Sequence, residues 1–263
     1  MRAALFDMDR TLVRKETASL YVRYQRSIGE ASRRDALKVL WWVGQYTLGV
    51  IDAPQVAARA ATGFAGISEA ALAARCDDWF RRFVEPHVCD LGRKAVEHHR
   101  AQGDVLAIVT GASPYAARPL ARRLGIPHLV TTELEVDARG ALTGRLIEPL
   151  CYGQGKVERT RRLAAELGFR IDEATFYSDS FTDLPLLEAV GHPYAVNPDK
   201  ALRRAAVQRG WPVLLFSKPV ALRQRSLHAH RSVAAVAVSA SALGAGAMLL
   251  VARRRGRRAG SAR

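Results

Sequence analysis

Residues 3–11 of the chain read AALFDMDRT, a short apolar run that leads directly into Asp7, Asp9 and Thr11. The run has the length of a buried β-strand, so the carboxylates come at the carboxyl end of that strand. Burial of an ionised carboxylate is costly unless the group is paired or bound to a metal ion. The stretch therefore predicts a catalytic site at the end of the first strand.

The composition is that of a globular protein with a full hydrophobic core. The chain has 263 residues, of which 49% are hydrophobic, and its three cysteines suggest neither a disulfide framework nor a zinc site. No apolar signal stretch opens the sequence, so we expect the catalytic part in the cytosol. The net charge is +15, and residues 223–263 hold nine arginines and no acidic residue. Much of the excess charge is therefore concentrated in the tail.

Strand and helix patterns alternate along most of the chain. Short apolar runs predict strands at residues 3–6, 105–109, 175–178, 194–196 and 213–216. Helical spacing predicts helices at 114–124, 157–167, 184–190 and 199–208, and three of these end at Gly125, Gly168 and Gly191. This alternation predicts an α/β fold, with a doubly wound parallel sheet.

Two segments interrupt the alternation. Residues 13–86 predict helices at 18–26, 32–42, 54–60 and 69–84, a helical cap over the carboxyl ends of the strands. We expect the apolar and aromatic residues of 37–51 to pack inside this cap rather than to contact an acyl chain or a membrane. Residues 129–149 predict a β-hairpin with a turn at 137–140 and no catalytic residue.

Four groups of polar residues follow the predicted strands in a recognisable order. They are Asp7, Asp9 and Thr11; Thr110, Gly111 and Ser113; Lys156 after two glycines; and Asp179 with Asp183. In this order they resemble the four motifs of the haloacid dehalogenase superfamily of phosphohydrolases, over about residues 1–216. The phosphoserine phosphatase-like branch is most similar, because its helical cap is also inserted after the first motif. The resemblance implies a Rossmann-like core at residues 1–13 and 86–220 and a cap at 14–85.

The resemblance also implies a role for each of these groups. Asp7 is the implied nucleophile, which forms an aspartyl phosphate, and Asp9 is the general acid and base. Thr11, Thr110, Gly111 and Lys156 are the implied phosphate-binding residues. Mg²⁺ is the implied cofactor, and its implied ligands are the side chains of Asp7 and Asp179 and the backbone carbonyl of Asp9, with Asp183 in support.

The substrate remains open at this stage. In phosphoserine phosphatases a glutamate at the position of Glu16 meets the substrate ammonium, but a glutamate near a helix start is also favoured by the helix dipole. The second and fourth motifs, at Gly111-Ala112-Ser113 and Ser178-Asp179-Ser180, depart from the usual phosphoserine phosphatase pattern. The alternatives are a phosphatase of a lipid phosphate or of another small metabolite phosphate such as histidinol phosphate. A non-enzyme alternative is a tethered phosphate-binding module.

The tail predicts a C-terminal hydrophobic helix and membrane association. Residues 233–252 carry no charge over a length that can cross a bilayer, between a basic linker at 221–232 and an arginine-rich end at 253–263. Arginines on both sides leave open whether the segment spans the membrane or lies on anionic lipid. Nucleic-acid binding is less favoured, because aromatic residues do not alternate with the arginines.

Overall fold

The computed structural model describes residues 1–30, 57–59 and 61–216. Its main feature is a six-stranded parallel sheet with the order β3-β2-β1-β6-β7-β8. The strands of this sheet are β1 (Ala3–Phe6), β2 (Val105–Val109), β3 (His128–Val130), β6 (Thr175–Ser178), β7 (His192–Val196) and β8 (Val213–Leu214). The predicted α/β class with a parallel sheet is confirmed.

Most strand predictions match the structure, with three differences. The strand predicted at 194–196 is longer, and the one predicted at 213–216 is shorter. The third difference is β3, a strand of the parallel sheet, two of whose three residues fall within the region 129–149 that is predicted as a hairpin. A three-residue edge strand carries too short an apolar pattern to be separated from the hairpin that follows it.

Both faces of the sheet are covered, because alternate residues of β1 belong to different apolar clusters. Ala4 and Phe6 pack in one cluster, and Ala3 and Leu5 pack in the other. The helices are α1 (Thr17–Ser27), α2 (Glu69–Trp79), α3 (Asp90–Ala101), α4 (Pro114–Leu124), α5 (Gln154–Leu167), α6 (Leu184–Ala189) and α7 (Lys200–Arg209). Residues of α3 and α4 cover the first face, and residues of α5, α6 and α7 cover the second.

Helix ends confirm two of the three glycine predictions. Gly125 and Gly168 adopt left-handed backbone angles with φ of 65° and 73° at the ends of α4 and α5. The prediction for Gly191 is wrong, because α6 ends earlier and Gly191 has no left-handed φ. Its lack of a side chain serves a close approach instead, since a Cβ there would lie 2.2 Å from the Asp172 carbonyl oxygen.

In the described residues of the insertion after β1, the regular secondary structure is helical. It contains α1, a short 3-10 turn at Thr62–Phe64, and α2, which continues into a more widely wound turn at Phe80–Val84. The helix predicted at 69–84 is therefore α-helical only to Trp79. The helix predicted at 32–42 and most of the one predicted at 54–60 lie outside the described residues, as does the whole apolar stretch 37–51.

The hairpin predicted at 129–149 is present as β4 (Glu133–Val136) and β5 (Leu142–Ile147). It is hydrogen-bonded to the segment between the 3-10 turn and α2. The Gly66 amide donates to the Leu142 carbonyl at 2.8 Å, the Leu142 amide donates to the Ile67 carbonyl at 2.9 Å, and the Glu69 amide donates to the Gly140 carbonyl at 2.9 Å. The hairpin therefore supports the returning part of the insertion.

Within residues 1–30, 57–59 and 61–216, no helix is long and apolar enough to cross a membrane. The candidate helix at 233–252 and its flanking arginines lie outside the described residues. The division of the chain into core, cap, linker and tail stays a prediction.

Two glycines of the hairpin provide a test of its packing against the insertion. Both have positive φ, +75° at Gly140 and +83° at Gly144, but only at Gly144 would a Cβ meet neighbours, 3.1 Å from the Ala65 Cβ and the Thr62 Cα. We expect Gly140→Ala to cost about 1 kcal/mol for its backbone angle, and Gly144→Ala to cost about 1–3 kcal/mol more through the clash. Urea unfolding of both variants measures the difference. Equal losses of unfolding free energy in the two variants would show that the close contact at Gly144 contributes nothing to stability.

Candidate active site

Three of the four predicted motifs meet at the buried ammonium group of Lys156. Its Nζ lies 2.9 Å from Asp7 Oδ1 and 2.7 Å from Asp183 Oδ2. Asp7 follows β1, Lys156 lies in the first turn of α5, and Asp183 ends the turn that follows β6. All three side chains are at most 3% exposed. The sheet order explains the meeting, because β1 and β6 are neighbours and their carboxyl ends lie side by side.

Burial and charge act in opposite directions on these groups. Burial raises the pKa of Asp7 to about 7, although the Lys156 cation acts to lower it. Burial alone lowers the pKa of Lys156, but the carboxylates of Asp183 and Asp7 outweigh it and hold that pKa above its ordinary value. Lys156 therefore stays protonated and supplies a fixed positive charge beside Asp7.

Asp183 is held in place by hydroxyl and backbone groups of its own loop. The Ser178 hydroxyl donates to Asp183 Oδ2 at 2.6 Å, and the Ser180 amide donates to the Ser178 hydroxyl at 3.2 Å. The same Asp183 oxygen also accepts from Lys156. With this oxygen bonded twice, Asp183 fixes the position of the lysine.

Asp9 is tied to the first helix of the insertion. Its Oδ1 accepts a hydrogen bond of 2.7 Å from the backbone amide of Thr17, the first residue of α1. Burial raises the pKa of Asp9 to about 6, although the bond from Thr17 acts to lower it. Glu16, a half-buried residue just before α1, adds a further negative charge that raises the same pKa.

The second motif forms the turn between β2 and α4. Thr110 is buried, and its hydroxyl accepts from the Ala112 amide at 3.2 Å. The Ser113 hydroxyl accepts from the Ala116 amide and so caps α4, which begins with Pro114 as the sequence suggests. Thr11, the remaining phosphate-binding candidate, is fully buried, and its hydroxyl has no hydrogen-bond partner in the described structure.

Two buried carboxylate oxygens fit a metal site. Asp7 Oδ2 and Asp179 Oδ1 have no hydrogen-bond partner in the described structure. Burial raises the pKa of Asp179 well above its usual range, and the nearby Asp7 charge adds to this rise. Among the described residues no three His, Cys, Asp or Glu side chains are grouped as a metal site. Two carboxylates still suit Mg²⁺, which keeps several waters and needs few protein ligands.

Arg10 and Asn197 are site residues that the sequence reasoning missed. Arg10 Nε lies 3.3 Å from Asp179 Oδ2, and the Arg10 carbonyl accepts from Asn197 Nδ2 at 2.8 Å. Both residues have left-handed backbone angles, with φ of 53° and 44°. Asn197 also accepts from the Phe216 amide at 2.9 Å. Arg10 thus joins the first motif to the fourth, and Asn197 joins Arg10 to the loop after β7. The signal of this loop in the sequence is the turn-forming pair Asn197-Pro198.

Tyr152 is a second residue that sequence reasoning missed. A Cβ on Gly111 would lie 2.5 Å from the Tyr152 ring and 2.8 Å from its hydroxyl oxygen, so the ring covers the glycine directly. No motif contains Tyr152, and no pattern in its neighbourhood distinguishes it. The glycine of the second motif is therefore needed for the approach of this ring.

The hairpin, for which the sequence predicted no catalytic residue, contributes to a pocket beside the second motif. The pocket lies between the second motif and the insertion, and Leu134 and Leu146 of the hairpin form one wall. Gly111 and Thr17 lie at the same pocket. The cap, the hairpin and the second motif therefore share one concave surface.

The fold and the site together define an α/β protein with buried carboxylates at the carboxyl edge of a parallel sheet. The chain matches the family model of haloacid dehalogenase-like hydrolases over residues 4–188. It belongs to this family, and the resemblance seen in the sequence is confirmed.

Several named relatives are phosphatases. A probable phosphatase of Mycobacterium tuberculosis is 36% identical over 92% of this chain and 86% of that protein. A phosphoserine phosphatase of the same organism is 34% identical over 96% of this chain and 80% of that protein. A histidinol-phosphatase of Neisseria meningitidis is 29% identical over 81% and 98%. The chain is accordingly a hydrolase of the phosphatase type.

Solved structures share the fold. A protein of unknown function from Bordetella pertussis aligns with a TM-score of 0.75 and 32% identity, over 82% of this chain and 99% of that one. A phosphoserine phosphatase, solved as an analogue of its phospho-aspartyl intermediate, aligns with a TM-score of 0.58 and 17% identity, over 82% and 93%.

A double-mutant cycle tests the contact between Gly111 and Tyr152. We expect Gly111→Ala to destabilise the protein by about 1–3 kcal/mol, because the added methyl group overlaps the ring. Tyr152→Ala in the same chain removes the overlap, so the loss in the double variant is smaller than the sum of the two single losses. Urea unfolding of the four proteins measures the coupling. Additive losses of unfolding free energy would contradict the contact between Gly111 and Tyr152.

Proposed function

We propose that the protein is a Mg²⁺-dependent phosphomonoesterase that acts through an aspartyl phosphate on Asp7. The observation that carries the proposal is the buried Asp7 carboxylate, with one oxygen on Lys156 and the other without a hydrogen-bond partner. A carboxylate held in one orientation by a fixed cation suits attack on phosphorus. The relatives named as phosphatases support the same reaction class.

In the first step, an Asp7 oxygen forms a bond to phosphorus while the bond from phosphorus to the leaving oxygen breaks. Asp9 gives its proton to the leaving oxygen, which departs as the alcohol. A pKa raised to about 6 by burial makes Asp9 a suitable acid near neutral pH. In the second step, water attacks phosphorus, the bond to Asp7 breaks, and Asp9 takes up a proton from the water.

Three groups are proposed to hold the phosphoryl oxygens. Lys156 supplies a permanent positive charge, and the turn at Thr110 and Gly111 precedes α4, whose N-terminus favours anions. The buried Thr11 hydroxyl, which has no partner in the described structure, provides one further donor. Transfer of a phosphoryl group depends mainly on such positioning and charge neutralisation.

Asp7 Oδ2 and Asp179 Oδ1 would hold Mg²⁺ with the backbone carbonyl of Asp9, and Asp183 would support the site from its place beside Lys156. When bound, Mg²⁺ supplies a positive charge that offsets the carboxylates and the phosphate. Arg10, paired with the other oxygen of Asp179, keeps that carboxylate oriented.

For the substrate, we propose a small phosphate monoester. The relatives include a phosphoserine phosphatase and a histidinol-phosphatase, whose substrates both carry an amino group. Glu16, which resembles the ammonium-binding glutamate of phosphoserine phosphatases, is half-buried and close enough to raise the pKa of Asp9. An ester that carries an amino group would contact Glu16, and an ester without one would not use this carboxylate.

Replacement of the nucleophile tests the mechanism. We expect Asp7→Asn to lower phosphate release from an aryl phosphate by at least ~10³-fold, because the amide cannot attack phosphorus. Chelation of Mg²⁺ by EDTA should abolish the wild-type rate, and added Mg²⁺ should restore it. Asp172→Asn, at an exposed aspartate paired with Arg170, is the matched control and should keep the wild-type rate. Substantial activity in Asp7→Asn would defeat the proposal.

We also propose that the tail associates with membranes through residues 233–252 and the arginines around them. The support is the uncharged length of that segment and its basic flanks. We expect the full-length chain to remain with membranes during carbonate extraction, while a chain that ends at Phe216 is released. Release of both chains would remove the proposal.

A further inference from the structure

We infer that the phosphate ester has an uncharged, apolar leaving group, which binds in the pocket between the cap, the hairpin and the second motif. The inference rests on the proposed phosphatase function and adds the chemical class of the substrate. It favours a neutral alcohol over the amino alcohols of the named relatives.

The lining of the pocket is the first support. Its walls are formed by the rings of Tyr21, Phe64 and Trp79 from the insertion and by Leu134 and Leu146 from the hairpin. None of the lining residues that the structure describes carries a charge. Such a surface gains free energy from apolar groups, and its described residues offer no charged group to replace the hydration of an ion.

The position of the pocket is the second support. Gly111, a proposed phosphate-binding residue, lies at the pocket, and so does Thr17, whose amide binds the proposed general acid Asp9. The leaving oxygen must lie within reach of Asp9. A substituent on that oxygen then extends along Thr17 and into the apolar walls.

The polar groups of the lining give the third support. The Thr132 hydroxyl accepts from the Cys151 amide, and the Ser113 hydroxyl caps α4, so both are already bonded. The Trp79 Nε1, in a side chain that is 1% exposed, has no hydrogen-bond partner in the described structure. This N–H is a donor, which suits a neutral acceptor on the ligand and repels an ammonium group.

Nearby acidic residues do not supply the missing countercharge. The Glu30 carboxylate lies 3.1 Å from Arg75 and is paired with it. Glu16 lies outside the residues that line the pocket. An ammonium group in the pocket would therefore lose its water without gaining a carboxylate from the described walls.

A graded series of phosphate esters tests the inference with the full-length protein and Mg²⁺. The enclosed part of the pocket measures about 30 Å³, and the unfilled space reaches about 480 Å³ only where the part that opens to solvent is included, so the series begins with small groups. We expect kcat/KM to rise from ethyl to butyl to 2-phenylethyl phosphate, by roughly 10- to 100-fold in total. We expect 2-aminoethyl phosphate, O-phosphoserine and histidinol phosphate to fall below ethyl phosphate.

The outcomes separate this inference from the function on which it rests. If no ester is hydrolysed in an Asp7-dependent manner, the proposed function fails. If Asp7-dependent hydrolysis is found but an amine-bearing ester is preferred to ethyl phosphate, the inference alone is overturned. Preference for phosphocholine also overturns it, because it would show that the aromatic rings bind a cation.

A pair of variants on β5 places the same charge inside and outside the pocket. Leu146 lines the pocket, whereas its neighbour Ile147 is 41% exposed. We expect Leu146→Asp to lower the preference for 2-phenylethyl over 2-aminoethyl phosphate by at least ~10-fold, and Ile147→Asp to leave it unchanged. If Leu146→Asp does not fold, Leu146→Ala should reduce the gain from ethyl to butyl. An unchanged preference in a folded Leu146 variant would overturn the inference.

Discussion

The structure of the site depends on one buried cation, the ammonium group of Lys156 between Asp7 and Asp183. Each of these carboxylates comes from a different strand of the sheet, and neither can stay ionised in the interior without a countercharge. The lysine supplies that charge only where the loops after β1 and β6 and the start of α5 bring their side chains together, with the Lys156 Nζ 2.9 Å from Asp7 Oδ1 and 2.7 Å from Asp183 Oδ2. The local geometry of three separate segments therefore follows from a single electrostatic requirement.

The position of Lys156 depends in turn on the hairpin. Gly155 lets the start of α5 approach the loop before it, since a Cβ there would lie 1.9 Å from the Leu150 carbonyl oxygen. One turn later, the Arg159 side chain donates to the Ile147 carbonyl and pairs with Glu133, at 2.7 Å and 2.8 Å, and so joins α5 to both strands of the hairpin. The hairpin is itself bonded to the insertion, so the cap and the charge centre share one support.

Features that depend on a short, local sequence pattern could be predicted from the sequence. The strand at 3–6 and the carboxylates after it could be recognised because a short apolar run followed by acidic residues is a local signal, and parallel strands bring such ends to one edge. Lys156 could be assigned through family resemblance, and its contact with Asp7 follows from the fold. Tyr152 and Asn197 could not be found, because their contacts with Gly111 and Arg10 join segments about 40 and 190 residues apart along the chain.

The proposed reaction depends on local motifs, whereas the choice of substrate depends on segments that are distant in the sequence. The groups proposed for phosphoryl transfer lie in short motifs, whereas the pocket walls come from the insertion and the hairpin, which the motifs do not specify. The two parts are linked at Thr17, whose amide holds Asp9 and whose side chain lines the pocket. The Tyr21 and Trp79 rings, with centroids 5.5 Å apart, pack α1 against α2 and so help to fix where α1 begins. A change in the apolar walls therefore alters the position of the proposed acid as well as the fit of the leaving group.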